Sequence, residues 1–63
     1  MLLTEREKEI VGLVALGFSN KEMAAHLGIS PHTVARHMVH IFEKLGIHQR
    51  TSLAVYAVRE KIA

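Results

Sequence analysis

The sequence predicts an all-α fold: a compact four-helix domain in which the second and third helices form a helix-turn-helix. Serine or threonine caps mark the helix starts, glycines mark helix ends, and the apolar residues between these marks recur at spacings of three and four. The chain has 63 residues and no cysteine. We therefore expect one domain, residues 1–63, whose small core is held by packing without disulfides.

The first helix is predicted to begin near Glu5. Thr4 and Glu7 match the capping box, in which the threonine oxygen accepts from the third helical amide and the glutamate reaches back to the cap amide. Gly17 supplies the stop at the other end. The apolar stripe of this helix consists of Ile10, Leu13 and Val14, with Val11 beside it.

The second predicted helix is short and also begins with a capping box. Ser19 and Glu22 form its capping box, and Gly28 ends it with a residue that tolerates the left-handed backbone of a tight turn. Such a turn between two crossed helices is what a helix-turn-helix needs. The buried face is predicted to contain Met23, Ala24 and Leu27.

The third helix, predicted over residues 30–45, has the most strongly marked start. Ser30 can cap it, and Pro31 suits its first turn because the missing amide hydrogen would have no partner there anyway. Gly46 ends it. Its buried stripe is predicted to be Val34, Met38, Ile41 and Leu45.

The fourth helix is predicted from about Arg50 or Thr51 to Lys61. It closes the core with one side, and we expect that side to carry Leu53, Ala54, Ala57, Val58 and Ile62.

An apolar patch is expected outside this side of the fourth helix, around Val55, Tyr56 and Arg59. A single small domain would leave it uncovered, so these three residues are predicted to form a dimer interface. Tyr56 fits core packing and a dimer anchor about equally well.

The charge distribution favours a polyanionic partner. Eight Lys and Arg residues against six Asp and Glu residues give a net charge of +2, and five histidines could add to it. Acidic residues crowd the first helix, whereas bases dominate from Asn20 onward. No apolar run approaches the roughly 20 residues that span a bilayer, and the amino terminus lacks a basic region followed by an apolar core with a cleavage site. We therefore expect a cytoplasmic protein with no membrane association.

The outer face of the third helix is the candidate DNA-reading surface. A helix in the major groove uses the amino-terminal half of its exposed face to reach the base edges. Ala35, Arg36 and Val39 meet that condition. Arginine can donate two hydrogen bonds to guanine, and the two apolar side chains can contact thymine methyl groups.

Phosphate contacts are expected from basic, hydroxyl and amide side chains near the helix starts. Any single such residue is more often an ordinary surface group, but their concentration around the second and third helices favours a functional role. Lys21, His37 and Lys44 are the first choices. The full set is Asn20, Lys21, Thr33, His37, His40, Lys44, Arg50 and Thr51.

Catalysis, a metal site and a cofactor are not expected. His37 and His40 are three residues apart on a helix, but no third ligand completes a site. The chain has no cysteine beside a histidine, no paired carboxylates in an apolar setting and no glycine-rich phosphate loop. We therefore predict a binding domain and not an enzyme.

Several segments together resemble the LuxR-type DNA-binding domain, also called GerE or NarL/FixJ, of bacterial transcription regulators. They are LTEREKEIV at 3–11, GFSNKEMAAHLGIS at 17–30, TV followed by RHM within 33–38, and KLGI with Arg50 within 44–50. The resemblance covers almost the whole chain. It implies sequence-specific binding of double-stranded DNA for transcription regulation, with the last helix forming a two-fold contact between two copies on DNA.

The resemblance also implies a longer protein in many members. There the domain is the carboxyl-terminal effector of a regulator, such as a two-component response regulator, whose amino-terminal receiver or ligand-binding domain controls access to DNA. RNA polymerase is a further partner that such a regulator implies. Whether this chain is a fragment or a stand-alone regulator is left open by its residues.

Two positions depart from the family pattern and keep other functions open. Ala35 stands where the family commonly has a basic residue, and Val39 where it often has a polar or basic one. Arg36 and His40 would then carry more of the DNA contact. One alternative is a protein interaction or dimerisation module with little DNA binding. Another is a promoter-reading domain like that of sigma factors, against which KLGI, Arg50 and the apolar fourth helix argue.

Overall fold

A computed structural model describes residues 2–62, which form four α-helices and no strand. The all-α, four-helix prediction is confirmed. The last helix ends two residues before the predicted limit at Lys61, which has a φ of 57°. The helices are α1, Glu5–Ala15; α2, Asn20–Leu27; α3, Pro31–Leu45; and α4, Arg50–Arg59.

Both predicted capping boxes are present. The backbone N–H of Glu7 donates to Thr4 Oγ1 over 3.1 Å, and the N–H of Thr4 donates to Glu7 Oε1 over 2.8 Å. Ser19 and Glu22 make the same reciprocal pair at 3.1 and 2.8 Å. Each pair gives partners to two amides that a helix start would otherwise leave unbonded, which fixes where α1 and α2 begin.

The turn between α2 and α3 has the expected left-handed glycine. Gly28 has φ 70° and ψ 32°, and the N–H of Ile29 donates back to the carbonyl of Ala24 over 3.0 Å. A Cβ built on Gly28 would meet no atom within 4 Å, so glycine is favoured there by backbone conformation and not by space. Ser30 then caps α3 by accepting from the N–H of Thr33.

The core is built where α1 packs against α4 and α3, and where α2 packs against α3. All four helices contribute to it. Its buried apolar side chains are Ile10, Val11, Val14, Met23, Ala24, Val34, Met38, Ile41, Leu53 and Ala57.

The core assignment of the last helix was partly wrong. Leu53 and Ala57 are fully buried and Ala54 is half-buried, but Val58 is 67% exposed. The reason is that α4 packs mainly on α1, so only a narrow stripe of α4 is covered. Ile62 lies beyond the helix and packs against the core as predicted.

Candidate nucleic-acid interface

The outer face of α3 is exposed because the opposite face packs in the core. Val34, Met38 and Ile41 are buried along one side. Arg36 is exposed, and Val39 is 54% exposed although it is a large apolar residue. Ala35, the third predicted base-reading residue, is half-buried beside them. This face therefore presents one guanidinium and apolar surface to solvent.

A shallow groove of about 200 Å³ runs along this side of α3 and is lined by Thr33, Arg36, His37 and His40. We call it the α3 groove. Arg36 and His40 are exposed, whereas Thr33 and His37 are half-buried. The hydroxyl of Thr33 lies 2.9 Å from that of Ser30, so Thr33 also takes part in the helix start. Four predicted DNA-contacting residues are thus brought together.

Lys44 has a different partner from the one that the sequence suggested. Its Nζ lies 2.7 Å from Oε1 of Glu7 in α1, and the two side chains are only 20% and 5% exposed. The ammonium of Lys44, expected from the sequence to contact phosphate, is therefore engaged by Glu7 in the free domain. The residues are 37 positions apart, and no local sequence pattern signals such a pairing.

The same pair sets the electrostatics of Glu7. Burial acts to raise the pKa of this carboxyl, but the hydrogen bond from Lys44, the hydrogen bond from the Thr4 amide and the positive charge of Lys44 outweigh it. The pKa of Glu7 therefore lies below its ordinary value. A buried carboxylate is thereby kept charged and serves both a helix cap and a contact between helices.

Arg50 joins the starts of α2 and α4. Its guanidinium donates to Oδ1 of Asn20 over 2.9 Å and to the carbonyl oxygen of Phe18 over 2.6 Å. Lys21 and Thr51, the next residues of the two helices, are exposed. Four predicted phosphate-contacting residues therefore sit at two adjoining helix starts, where backbone amides also favour anions.

The predicted dimer residues fall into two environments. Val55 is 45% exposed and Arg59 is exposed, whereas Tyr56 is half-buried and packs against the core. Val58, assigned to the core from the sequence, lies with Val55 on the exposed side. Together they line an apolar groove of about 420 Å³, which we call the α4 groove; its full lining is Ala15, Thr51, Ala54, Val55, Val58 and Arg59.

Within residues 2–62, no group of three or more His, Cys, Asp or Glu side chains could hold a metal ion. Likewise, none of the four helices is long and apolar enough to cross a membrane.

Comparison with known proteins decides the family. The sequence profile of the bacterial regulatory proteins of the luxR family, also named GerE, matches residues 1–57. The chain belongs to the luxR family. As a luxR-family domain with this helix-turn-helix, it is a DNA-binding domain of transcription regulation, and the family is not a class of enzymes.

Individual relatives agree with this assignment. The chain is 43% identical over 61 residues to the oxygen regulatory protein NreC of Staphylococcus aureus, in strains JH9 and JH1 alike, which covers 97% of this chain and 28% of NreC. Its fold is similar to the crystal structure of ChrA, a response regulator in a heme-sensing two-component system, with a TM-score of 0.89 and 40% identity. That likeness covers all of this chain and 31% of ChrA. The luxR-family domain thus spans less than a third of either relative.

Proposed function

We propose that this domain binds double-stranded DNA sequence-specifically, with α3 in the major groove. The observation that carries the proposal is the exposed outer face of α3, where Arg36 and Val39 have no part in the core. Arg36 would donate to a guanine edge, and the methyl groups of Val39 and Ala35 would contact thymine methyls.

Phosphate contacts would come from two groups of residues. The α3 groove offers Thr33, His37 and His40, and the adjoining helix starts offer a second set. Lys44 is left out of the proposal because Glu7 engages its ammonium. The second set consists of Asn20, Lys21, Arg50 and Thr51.

We propose further that two copies bind two half-sites through the α4 groove. Val55 and Val58 lie one turn apart and expose apolar surface that a monomer leaves in water. Arg59 borders them and would form a polar rim. Tyr56 contributes less to this contact because it packs against the core.

The domain is proposed to be the effector part of a longer response regulator that acts in the bacterial cytoplasm. Support comes from the share of each relative that it matches, 28% of NreC and 31% of ChrA. A receiver or ligand-binding domain would account for the remaining length and would control access to DNA.

A protein interaction module is the second candidate, and the apolar character of Ala35 and Val39 favours it. Selection of bound duplexes from a random DNA pool separates the two. Sequence-specific binding predicts recovery of a shared motif, and binding by two copies predicts that the motif is an inverted repeat with half-sites near one helical turn apart. Recovery of no enriched sequence would favour the interaction module.

Dimerisation is tested by placing a charge in the α4 groove. Val58→Lys should abolish the cooperative binding of two copies to a duplex with two half-sites, because the new charge would be buried against the second copy. Analytical ultracentrifugation of the protein–DNA mixture measures how many copies bind. Leu16→Lys is the matched control, since Leu16 is an exposed leucine that lines a different groove, with Leu13 and His26. If both variants bind cooperatively, α4 is not the interface.

A further inference from the structure

The positive charge of the α3 groove depends on histidines. Arg36 and Lys44 are the two permanent cations in the sequence of α3, and the ammonium of Lys44 is engaged by Glu7. Arg36 is therefore the one permanent cation lining the groove, beside His37 and His40. Histidine is the side chain whose charge ordinarily changes between about pH 5 and pH 8.

We infer that protonation of His37 and His40 controls the DNA affinity of this domain, which strengthens as the pH falls from about 8 to about 5.5. The inference rests on the proposed DNA binding and adds a regulatory property to it. A neutral imidazole donates one hydrogen bond and accepts one, whereas the charged imidazolium donates from both nitrogens and attracts phosphate. DNA binding is thereby coupled to proton uptake.

Among the described residues, no other charged side chain of α3 forms an ion pair with His37 or His40. Arg36 lies one turn before His40 on α3, and Glu43 lies one turn after it. Within residues 2–62 the two ion pairs are Lys8 with Glu5 and Lys44 with Glu7, so neither engages a histidine. A DNA phosphate would supply a close anion for each imidazolium.

The helices packed against α3 do not supply that anion either. From α1, Glu7 reaches α3, but its Oε1 already accepts from Lys44 and from the Thr4 amide. On α2, the carboxylate of Glu22 accepts from the Ser19 amide, and Lys21 adds only positive charge. His26 of α2 lies against Phe18, with ring centroids 5.6 Å apart, and lines a groove with Leu13 and Leu16 of α1.

The size of the effect follows from proton linkage. Suppose that contact with a DNA phosphate moves the titration midpoint of one histidine upward by about one pH unit. The affinity of the domain for DNA then rises about tenfold as the pH falls through that range. Two histidines acting together therefore give up to about a 100-fold rise in affinity between pH 8 and pH 5.5. Lys or Arg side chains at these positions would bind phosphate with no such dependence in this range.

Fluorescence anisotropy with a mixed-sequence DNA duplex at fixed low salt tests the inference. The wild-type domain should bind up to about 100-fold more tightly at pH 5.5 than at pH 8, and His37→Gln/His40→Gln should lose most of that rise. His26→Gln is the matched control and should keep it. A wild-type affinity that is constant with pH would overturn the inference while leaving DNA binding intact, whereas no binding at any pH would overturn both.

A second measurement needs no variant and serves if the double substitution prevents folding. In NMR titrations of the wild-type domain, ring protons of His37 and His40 should titrate at higher pH with DNA than without it, and those of His26 should be unchanged. Titrations of His37 and His40 that do not move on DNA binding would overturn the inference. The permanently charged variant His37→Lys/His40→Lys should bind tightly and with little pH dependence.

Discussion

The Nζ of Lys44 lies 2.7 Å from Oε1 of Glu7, and this bond ties the last turn of α3 to the first turn of α1. Both side chains are largely removed from solvent. This charge-assisted hydrogen bond therefore adds to the core packing that holds the carboxyl end of α3 against α1.

Lys44→Met should destabilise the domain by about 1–3 kcal/mol because it leaves the Glu7 carboxylate buried without its cationic partner. Thermal and urea denaturation followed by circular dichroism measure the loss. Lys8→Met is the matched control: Lys8 pairs with Glu5 at 3.3 Å, but both side chains are exposed. It should change stability by less than about 0.5 kcal/mol. Equal losses in the two variants would contradict the role assigned to the buried pair.

Acid should destabilise the domain through its two capping glutamates. Hydrogen bonds from Ser19 lower the pKa of Glu22, and the pKa of Glu7 is lowered despite its burial. Because both carboxyls have folded-state pKa values below the ordinary 4.5, their contribution is complete above that pH and is lost as the pH falls through the lowered values.

Melting temperatures measured from neutral pH down into this acidic range check that prediction. Glu7→Gln should have a lower melting temperature at neutral pH and a smaller further loss on acidification than the wild type. Glu43→Gln is the control, since Glu43 is exposed and makes no side-chain hydrogen bond within the described residues. A Glu7→Gln variant that is as acid-sensitive as the wild type would show that other groups cause the loss.

The same substitution at two glycines should have opposite effects. Gly28→Ala should destabilise the domain by about 1–2 kcal/mol because it forces a Cβ into the left-handed backbone of the turn. Gly12→Ala should stabilise it by about 0.5–1 kcal/mol because Gly12 is inside α1, where alanine is the better helix former. The added Cβ would meet only the carbonyl oxygen of Ile62 at 3.5 Å and its Cγ2 at 3.8 Å. Urea denaturation of the pair tests both signs, and a stabilising Gly28→Ala would refute the conformational argument.

Arg36 and Lys21 should contribute to DNA binding in different ways. Arg36→Ala should relax base preference at one position by about 1–3 kcal/mol, as expected for loss of a guanine contact. Lys21→Ala should instead weaken all duplexes alike and reduce the dependence of affinity on salt. Competition binding with single-base variants of a selected site, at several salt concentrations, separates these effects. If Arg36→Ala weakens every duplex equally, Arg36 is a phosphate contact.

The helix boundaries could be predicted because their signals are local. Thr4 with Glu7 and Ser19 with Glu22 are three residues apart, so four consecutive residues are enough to predict the start of α1 and of α2. The glycines at positions 28 and 46 likewise mark helix ends by a property of the residue itself. These features mark the helix-turn-helix before any tertiary contact is known, whereas α4 starts after Gln49 with no side-chain cap, and its end was predicted two residues too late.

The contacts between distant residues, and the exposure of Val58, could not be predicted from the sequence because they depend on which helices pack together. Lys44 and Glu7 are 37 residues apart, and their pairing appears only when α3 meets α1. Arg50 and Asn20 are 30 residues apart and are brought together by the same arrangement. Val58 fits an apolar helical stripe, yet the narrow contact of α4 with α1 leaves it exposed. Periodicity indicates which side of a helix is apolar, but not how wide a strip the neighbouring helix covers.

The shared oxygen of Glu7 also affects how the domain opens. Because Oε1 accepts from both the Thr4 amide and Lys44, an opening of the first turn of α1 that displaces Glu7 also releases the end of α3. The Ser19 amide is held by an equivalent but exposed cap, with no such tertiary bond. Hydrogen exchange at the Thr4 amide should therefore be slower than at the Ser19 amide, because the acceptor of Thr4 is anchored by Lys44.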